Sequence, residues 1–140
     1  MKTGDKLSNL ERYAGRQINA RRYPDAVHQF RVLECADCGT SPLALTVEHH
    51  SGSRQGKFRG VIYGECLICA KKGIIYRFTG SHREKAGEEV PACHCGHRYF
   101  LVAELERIER ENGLAGFFDE GLVVGKCASC NRNRVIISTD

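Results

Sequence analysis

Gly60-Val61-Ile62-Tyr63-Gly64-Glu65-Cys66-Leu67-Ile68-Cys69 is echoed, without a gap, by Gly121-Leu122-Val123-Val124-Gly125-Lys126-Cys127-Ala128-Ser129-Cys130. Each stretch is preceded at a distance by another close pair of cysteines followed by glycine. These are Cys35-Ala36-Asp37-Cys38-Gly39 and Cys93-His94-Cys95-Gly96. Each is followed by a run that suits a pleated, half-buried surface: Gly73 to Phe78, and Arg134 to Thr139. A self-similar pattern of this kind is read before anything else, because it sets the number of structural units. Two copies of one β-rich module are the economical reading.

Working outward, Pro42 to His49 alternates partly between apolar and polar residues, Ser51 to Lys57 reads as a hairpin loop, and Phe58 to Glu65 returns. The first module is thus strand, hairpin, strand, cysteine turn and strand. In the second, Leu101, Leu105 and Ile108 also fit helical spacing. The repeat argues instead for a strand from 98 to about 105, with Asn112-Gly113 as a turn. Thr79 to Val90 reads as a linker. Near the N-terminus, Ser8-x-x-Glu11 matches a capping box and predicts a helix from about Leu10 that Pro24 ends. The expected organisation is a basic helical segment over 1–27, a first module over 28–78, a linker over 79–90 and a second module over 91–140.

The 140 residues include 15 Gly and 8 Cys and no Trp, a composition that gives a small apolar core and calls for other cross-links. The polar start Met1-Lys2-Thr3-Gly4-Asp5-Lys6 leads into no apolar stretch of signal or membrane-span length, so a reducing cytoplasmic setting is expected and no membrane partner. There, paired cysteines read as metal ligands rather than disulfides. A Cys-x-x-Cys turn lets two thiolates meet one ion, and two such turns complete a tetrahedron. Cys35, Cys38, Cys66 and Cys69 are expected to hold one zinc ion, and Cys93, Cys95, Cys127 and Cys130 a second. The short Cys93-x-Cys95 turn leaves His94 or His97 as alternative ligands, and iron is an alternative metal. Four protein ligands leave no position for water or substrate, so both sites are expected to be structural, with no catalytic residues and no small-molecule substrate.

These residues resemble the zinc-ribbon superfamily, in which two cysteine turns clamp one end of a three-stranded antiparallel sheet. The resemblance covers 28–140 and implies a mainly β fold of two tandem zinc ribbons with a short N-terminal helix. Tandem ribbons are similar to small zinc-ribbon subunits of RNA polymerases and to transcript-cleavage factors, whose acidic pair holds a catalytic magnesium ion. Asp119-Glu120 stands in a comparable place, although the family's Gln-Thr-Arg-Ser run is replaced by Gly113 to Phe118.

The formal net charge of +4 is unevenly distributed. Residues 1–27 and 28–78 are each net positive, and the rest is slightly negative, so a polyanion would favour the first half. Arg54, Lys57 and Arg59 with Phe58 on the first hairpin could track phosphates while the ring stacks on a base. Arg12 and Arg16, with Arg21 and Arg22 following, would add a basic strip near the first module. The expected partner is nucleic acid or a nucleic-acid-associated protein assembly. The alternatives are a protein-interaction module, with one of Phe117 and Phe118 left over to dock on a partner, a cleavage-type factor using Asp119-Glu120, and a rubredoxin-like iron electron carrier.

Overall fold

The computed structural model describes residues 3–18, 27–50, 58–80, 87–108 and 118–139. One helix, α1 (Thr3–Gln17), precedes strands β1 (Val27–Leu33), β2 (Leu43–His50), β3 (Phe58–Cys66), β4 (Lys72–Gly80), β5 (Gly87–Glu89), β6 (Tyr99–Ile108), β7 (Phe118–Cys127) and β8 (Asn133–Thr139). The protein is mainly β, as expected, and the second copy opens with a strand rather than a helix.

The repeat is visible in the hydrogen-bonding register. Leu43 faces Cys66 across β2 and β3, and Phe100 faces Cys127 across β6 and β7. Leu45 opposite Gly64 corresponds to Val102 opposite Gly125. Both copies even carry an irregularity at the same place, between Ile62 and Tyr63 and between Val123 and Val124. The two antiparallel meanders β2-β3-β4 and β6-β7-β8 join through β2 and β6 alone, at Leu43↔Phe100 and Ala44↔Tyr99. Because the corresponding residues Leu43 and Phe100 pair with each other, the copies are related by an approximate two-fold at this short seam.

The strand that leads into each first cysteine pair crosses to the other copy. β1, just before Cys35, pairs along β6, and β5, just before Cys93, pairs with β2. The sequence reading missed both strands, and the segment taken as a linker supplies β5 as well as the end of β4. Arg31 of β1 lies opposite Glu104 of β6 and forms an ion pair with its buried carboxylate. Tyr76 of β4 reaches the same place: burial first, then the Glu104 and Glu106 carboxylates, hold its hydroxyl well above the usual value.

The outer strands β4 and β8 approach each other, so the sheet is rolled. Its inner face buries Leu33, Leu43, Leu45, Val47, Ile62, Phe78, Phe100, Val102 and Val123 in one cluster that also includes Cys66, Cys93 and Cys127. Burial of this apolar surface is favourable by roughly 25 cal/mol per Å².

On the outside, Leu10, Ala14 and Ile18, spaced along one helical stripe, cover Ala103, Leu105, Leu122 and Val124. The Asn9 side-chain oxygen accepts hydrogen bonds from Lys126 Nζ at 2.8 Å and Asn133 Nδ2 at 2.9 Å, fixing the helix over β7 and β8. Two expectations are corrected here. The helix starts at Thr3, with Asp5 in its first turn, so Ser8 is an interior residue rather than a cap. It also rests on the second copy rather than beside the first, because that is the outer face carrying apolar residues. It ends at Gln17, and Pro24, the expected stop, lies outside the described residues.

Reciprocal exchange of β1 and β5 makes each copy incomplete alone. A fragment spanning residues 28–80 is therefore expected to lack the amide protection and cooperative unfolding of the whole chain, even with excess metal. A fragment as protected as the intact protein would contradict the exchange.

Candidate metal centres

Each of the four cysteine turns closes in the same way. The residue after the second cysteine adopts a left-handed backbone conformation: Gly39 (φ 75°), Ala70 (62°), Gly96 (90°) and Asn131 (64°). Its N–H donates to the carbonyl of the first cysteine of the turn, at 3.0, 2.9, 2.8 and 3.0 Å respectively. Glycine and asparagine adopt this conformation at little cost, whereas alanine pays roughly 1 kcal/mol, so Ala70 is held there by the rest of the turn. The first cysteine's own N–H then donates to the returning chain, Cys35 to Gly39, Cys66 to Lys71, Cys93 to His97 and Cys127 to Arg132.

The shorter Cys93-x-Cys95 turn preserves this scheme by closing one residue sooner. It brings both sulfurs into the second cluster, which neither His94 nor His97 joins. The His97 ring instead lies against Tyr99, with centroids 5.8 Å apart.

The turns converge in pairs. The sulfurs of Cys35, Cys38, Cys66 and Cys69 lie within 4.8 Å of one another, and so do those of Cys93, Cys95, Cys127 and Cys130. Contacts of 3.6 Å between Cys35 and Cys69, 3.3 Å between Cys93 and Cys130, and 3.6 Å between Cys95 and Cys127 are far longer than a disulfide bond of about 2.05 Å. They approach the edge of about 3.8 Å expected when four sulfurs surround one ion at about 2.3 Å. All eight cysteines are free thiols. The donor sets therefore fit two tetrahedral metal ions.

The thiols' acidities point the same way. In the first cluster the Ser41 hydroxyl, 3.2 Å from Cys66 Sγ, and the Cys69 backbone N–H pull the Cys66 thiol down to about 6. Sharing a hydrogen with Cys69, then burial, pushes Cys38 up to about 12. In the second, the Cys95 backbone N–H draws Cys93 down to about 7. The His97 backbone N–H lowers Cys95, but burial and the neighbouring thiols outweigh it and raise it to about 11. In each cluster one thiol ionises readily and another is held protonated by crowding. A cation at the centre removes that conflict, because it stabilises all four thiolates together.

Cations surround the clusters without entering them. Lys71 pairs with Asp37, Lys72 Nζ lies 5.6 Å from the centre of the Tyr63 ring, and Arg134 Nη1 donates to the Ala92 carbonyl at 2.6 Å. His50 bonds to Glu48 at 2.7 Å, and His49 stacks edge-on against Phe78; neither belongs to a cysteine cluster.

Of the expected nucleic-acid residues, the described structure places the side chains of two. Arg12 and Arg16 are exposed on α1, above the second copy. Phe58 and Arg59 open β3, and Asp119 and Glu120 fall in β7, with Glu120 opposite Arg107; their side chains lie outside the described structure. Arg21, Arg22, Arg54, Lys57 and Phe117 also lie outside the described residues.

Two contributors escaped the sequence reading. The left-handed residues after the second cysteines were legible as small or amide side chains at corresponding positions. Ser41 was not, because only the β2–β3 pairing brings it to Cys66. Comparison with protein-family models, curated proteins and solved structures returns no match to this chain. No helix among the described residues is long and apolar enough to cross a membrane.

Replacing Ser41 with alanine removes the hydroxyl that favours the Cys66 thiolate, so protons compete better with metal. Metal affinity at the first centre is expected to fall about tenfold. Acid-induced release should begin at a higher pH than in the wild type, and competition with a chromophoric chelator reads both effects. An unchanged affinity and release curve would remove Ser41 from the site.

Proposed function

We propose that the protein is a non-enzymatic zinc protein whose two ions are structural, and that it binds nucleic acid or an assembly built on nucleic acid. The observation that carries the first part is the convergence of four cysteine sulfurs at each of two corresponding positions. A tetrathiolate shell leaves no coordination site for water or substrate, so the ions stabilise the fold rather than perform chemistry. Zinc suits four thiolates in this geometry, and a single iron ion is the competing occupant.

The binding half rests on charge. The exposed Arg12 and Arg16 lie one helical turn apart on the solvent side of α1, and the first 78 residues hold the chain's positive excess. Such a surface attracts a phosphate backbone by releasing its counterions. A second reading, docking on another protein, is favoured by a different observation. Leu67 and Ile68, in the turn between Cys66 and Cys69, are 50% and 70% exposed, where the second copy has Ala128 and Ser129.

Protein purified without added metal is expected to carry two zinc ions per chain, to be colourless, and to unfold when a strong chelator removes them, as seen by native mass spectrometry and circular dichroism. Visible absorbance from iron, or an unchanged fold after both metals leave, contradicts the structural-zinc reading.

Fluorescence anisotropy with a labelled oligonucleotide should show affinity falling steeply as salt rises. The quadruple substitution Arg12→Ala, Arg16→Ala, Arg54→Ala and Lys57→Ala should weaken binding at least tenfold for every sequence tested. Affinity indifferent to salt and to these changes would sink the nucleic-acid reading, and nuclease-resistant capture of a protein would support the second.

A further inference from the structure

The approximate two-fold makes each copy a reference for the other, and one of their differences lies beside the first cysteine turn. In the second copy Arg134 stands opposite Gly125, and its guanidinium reaches the Ala92 carbonyl, next to Cys93. In the first copy the residue opposite Gly64 is Gly73, and the counterpart of Ala92 is Glu34, next to Cys35. Where the second copy has an arginine bridging β8 and the first cysteine turn, the first has a cleft of about 230 Å³ between β4 and its own turn.

The cleft suits what its twin contains. Gly64 and Gly73 contribute no side chains to it, while Leu43 and Ile75, the counterparts of Phe100 and Ile136, line it with apolar surface fit for an arginine's methylenes. Glu34 and Asp37 bring carboxylates to the rim. Of the two lysines there, Lys71 is paired with Asp37 and Lys72 lies near the Tyr63 ring. An ion with four thiolates carries a net −2, which adds to the attraction for a cation. This part rests on the metal reading given above. It does not depend on nucleic-acid binding.

We propose that the cleft beside the first metal centre receives an arginine side chain presented by a partner polypeptide, in the place that Arg134 fills from within the chain in the second copy. The planar guanidinium can donate to the Glu34 carboxylate in a forked arrangement that an ammonium group cannot match.

The test uses full-length, isotope-labelled protein whose two metals have been verified by native mass spectrometry. The probe is the capped peptide Gly-Gly-Arg-Gly-Gly, with the lysine peptide and free guanidinium ion as comparisons. Saturable amide shifts at Gly64, Gly73 and Glu34 are expected with the arginine peptide, at least fivefold weaker with lysine and weaker still with the free ion. Gly73→Arg should fill the cleft from within and reduce peptide affinity at least tenfold. A Cβ at Gly73 meets nothing within 4 Å, so the backbone there leaves room for a side chain to begin. Glu34→Gln gives an independent reading, a loss of threefold or more, should Gly73→Arg not fold. Arg134→Gly should open a second cleft and move new shifts to the neighbourhood of Gly125.

Absence of saturable shifts, equal binding of the lysine peptide or the free ion, or full affinity in folded Gly73→Arg would each overturn the proposal. A chain that carries two metals yet shows no peptide binding refutes this inference alone. A chain that folds without metal refutes the metal reading instead.

Discussion

Two residue pairs, Leu43↔Phe100 and Ala44↔Tyr99, are all that hydrogen-bond β2 to β6, and the continuity of the rolled sheet passes through them. A junction that short contributes little by itself. It is flanked by the cysteine clusters, because Cys66 and Cys127 lie opposite the same Leu43 and Phe100 that form the seam. Beside it, each turn extends the ladder of its own copy: Leu67 N–H donates to the Pro42 carbonyl and Ala128 N–H to the Tyr99 carbonyl, at 3.0 and 2.9 Å. Four thiols held this close repel one another once ionised, so a cation bound among them would turn each cluster into a cross-link. Binding energies of roughly 10–16 kcal/mol for structural zinc are large beside the net stability of a small domain.

The reciprocal crossing of β1 and β5 spreads that dependence through the chain. Each first cysteine turn is fed by a strand anchored on the other copy, so placing one cluster's ligands positions a strand beside the other cluster's sheet. The rolled core, with Leu33 and Phe78 at opposite ends of the first copy's sequence, is shared rather than divided between modules.

Duplicated backbones leave differences in side chains free to specialise. The outer faces illustrate this. Ala103 opposite Val124 and Leu105 opposite Leu122 form an apolar floor for α1. At the corresponding positions Thr46 faces Tyr63 and Glu48 faces Val61, a surface on which that helix has less to bury. Lys126, buried under the helix, is drawn below its usual pKa by desolvation and then by Lys6, and its hydrogen bonds to Asn9 and Asn131 compensate for its burial. The first copy has Glu65 at that position.

The sequence by itself determined the two-copy pattern, the strands of both meanders and the pairing of the cysteines into two groups, because these depend on local periodicity and on the short reach of a cysteine turn. It also identified the helix, but placed its start near Leu10 with Ser8 as the cap, since a capping box has the same spelling inside a helix as at its end. Only the tertiary structure decided where that helix docks, which thiols the shortened turn presents, and that β1 and β5 exchange partners. Val27 to Leu33 and Gly87 to Glu89 carry no alternation clear enough to name a face, and their pairing is set by the other copy's exposed strand edges. The contrast between Arg134 and Gly73 was likewise present in the letters. It acquired meaning only when the fold set each residue opposite a glycine and beside a metal centre.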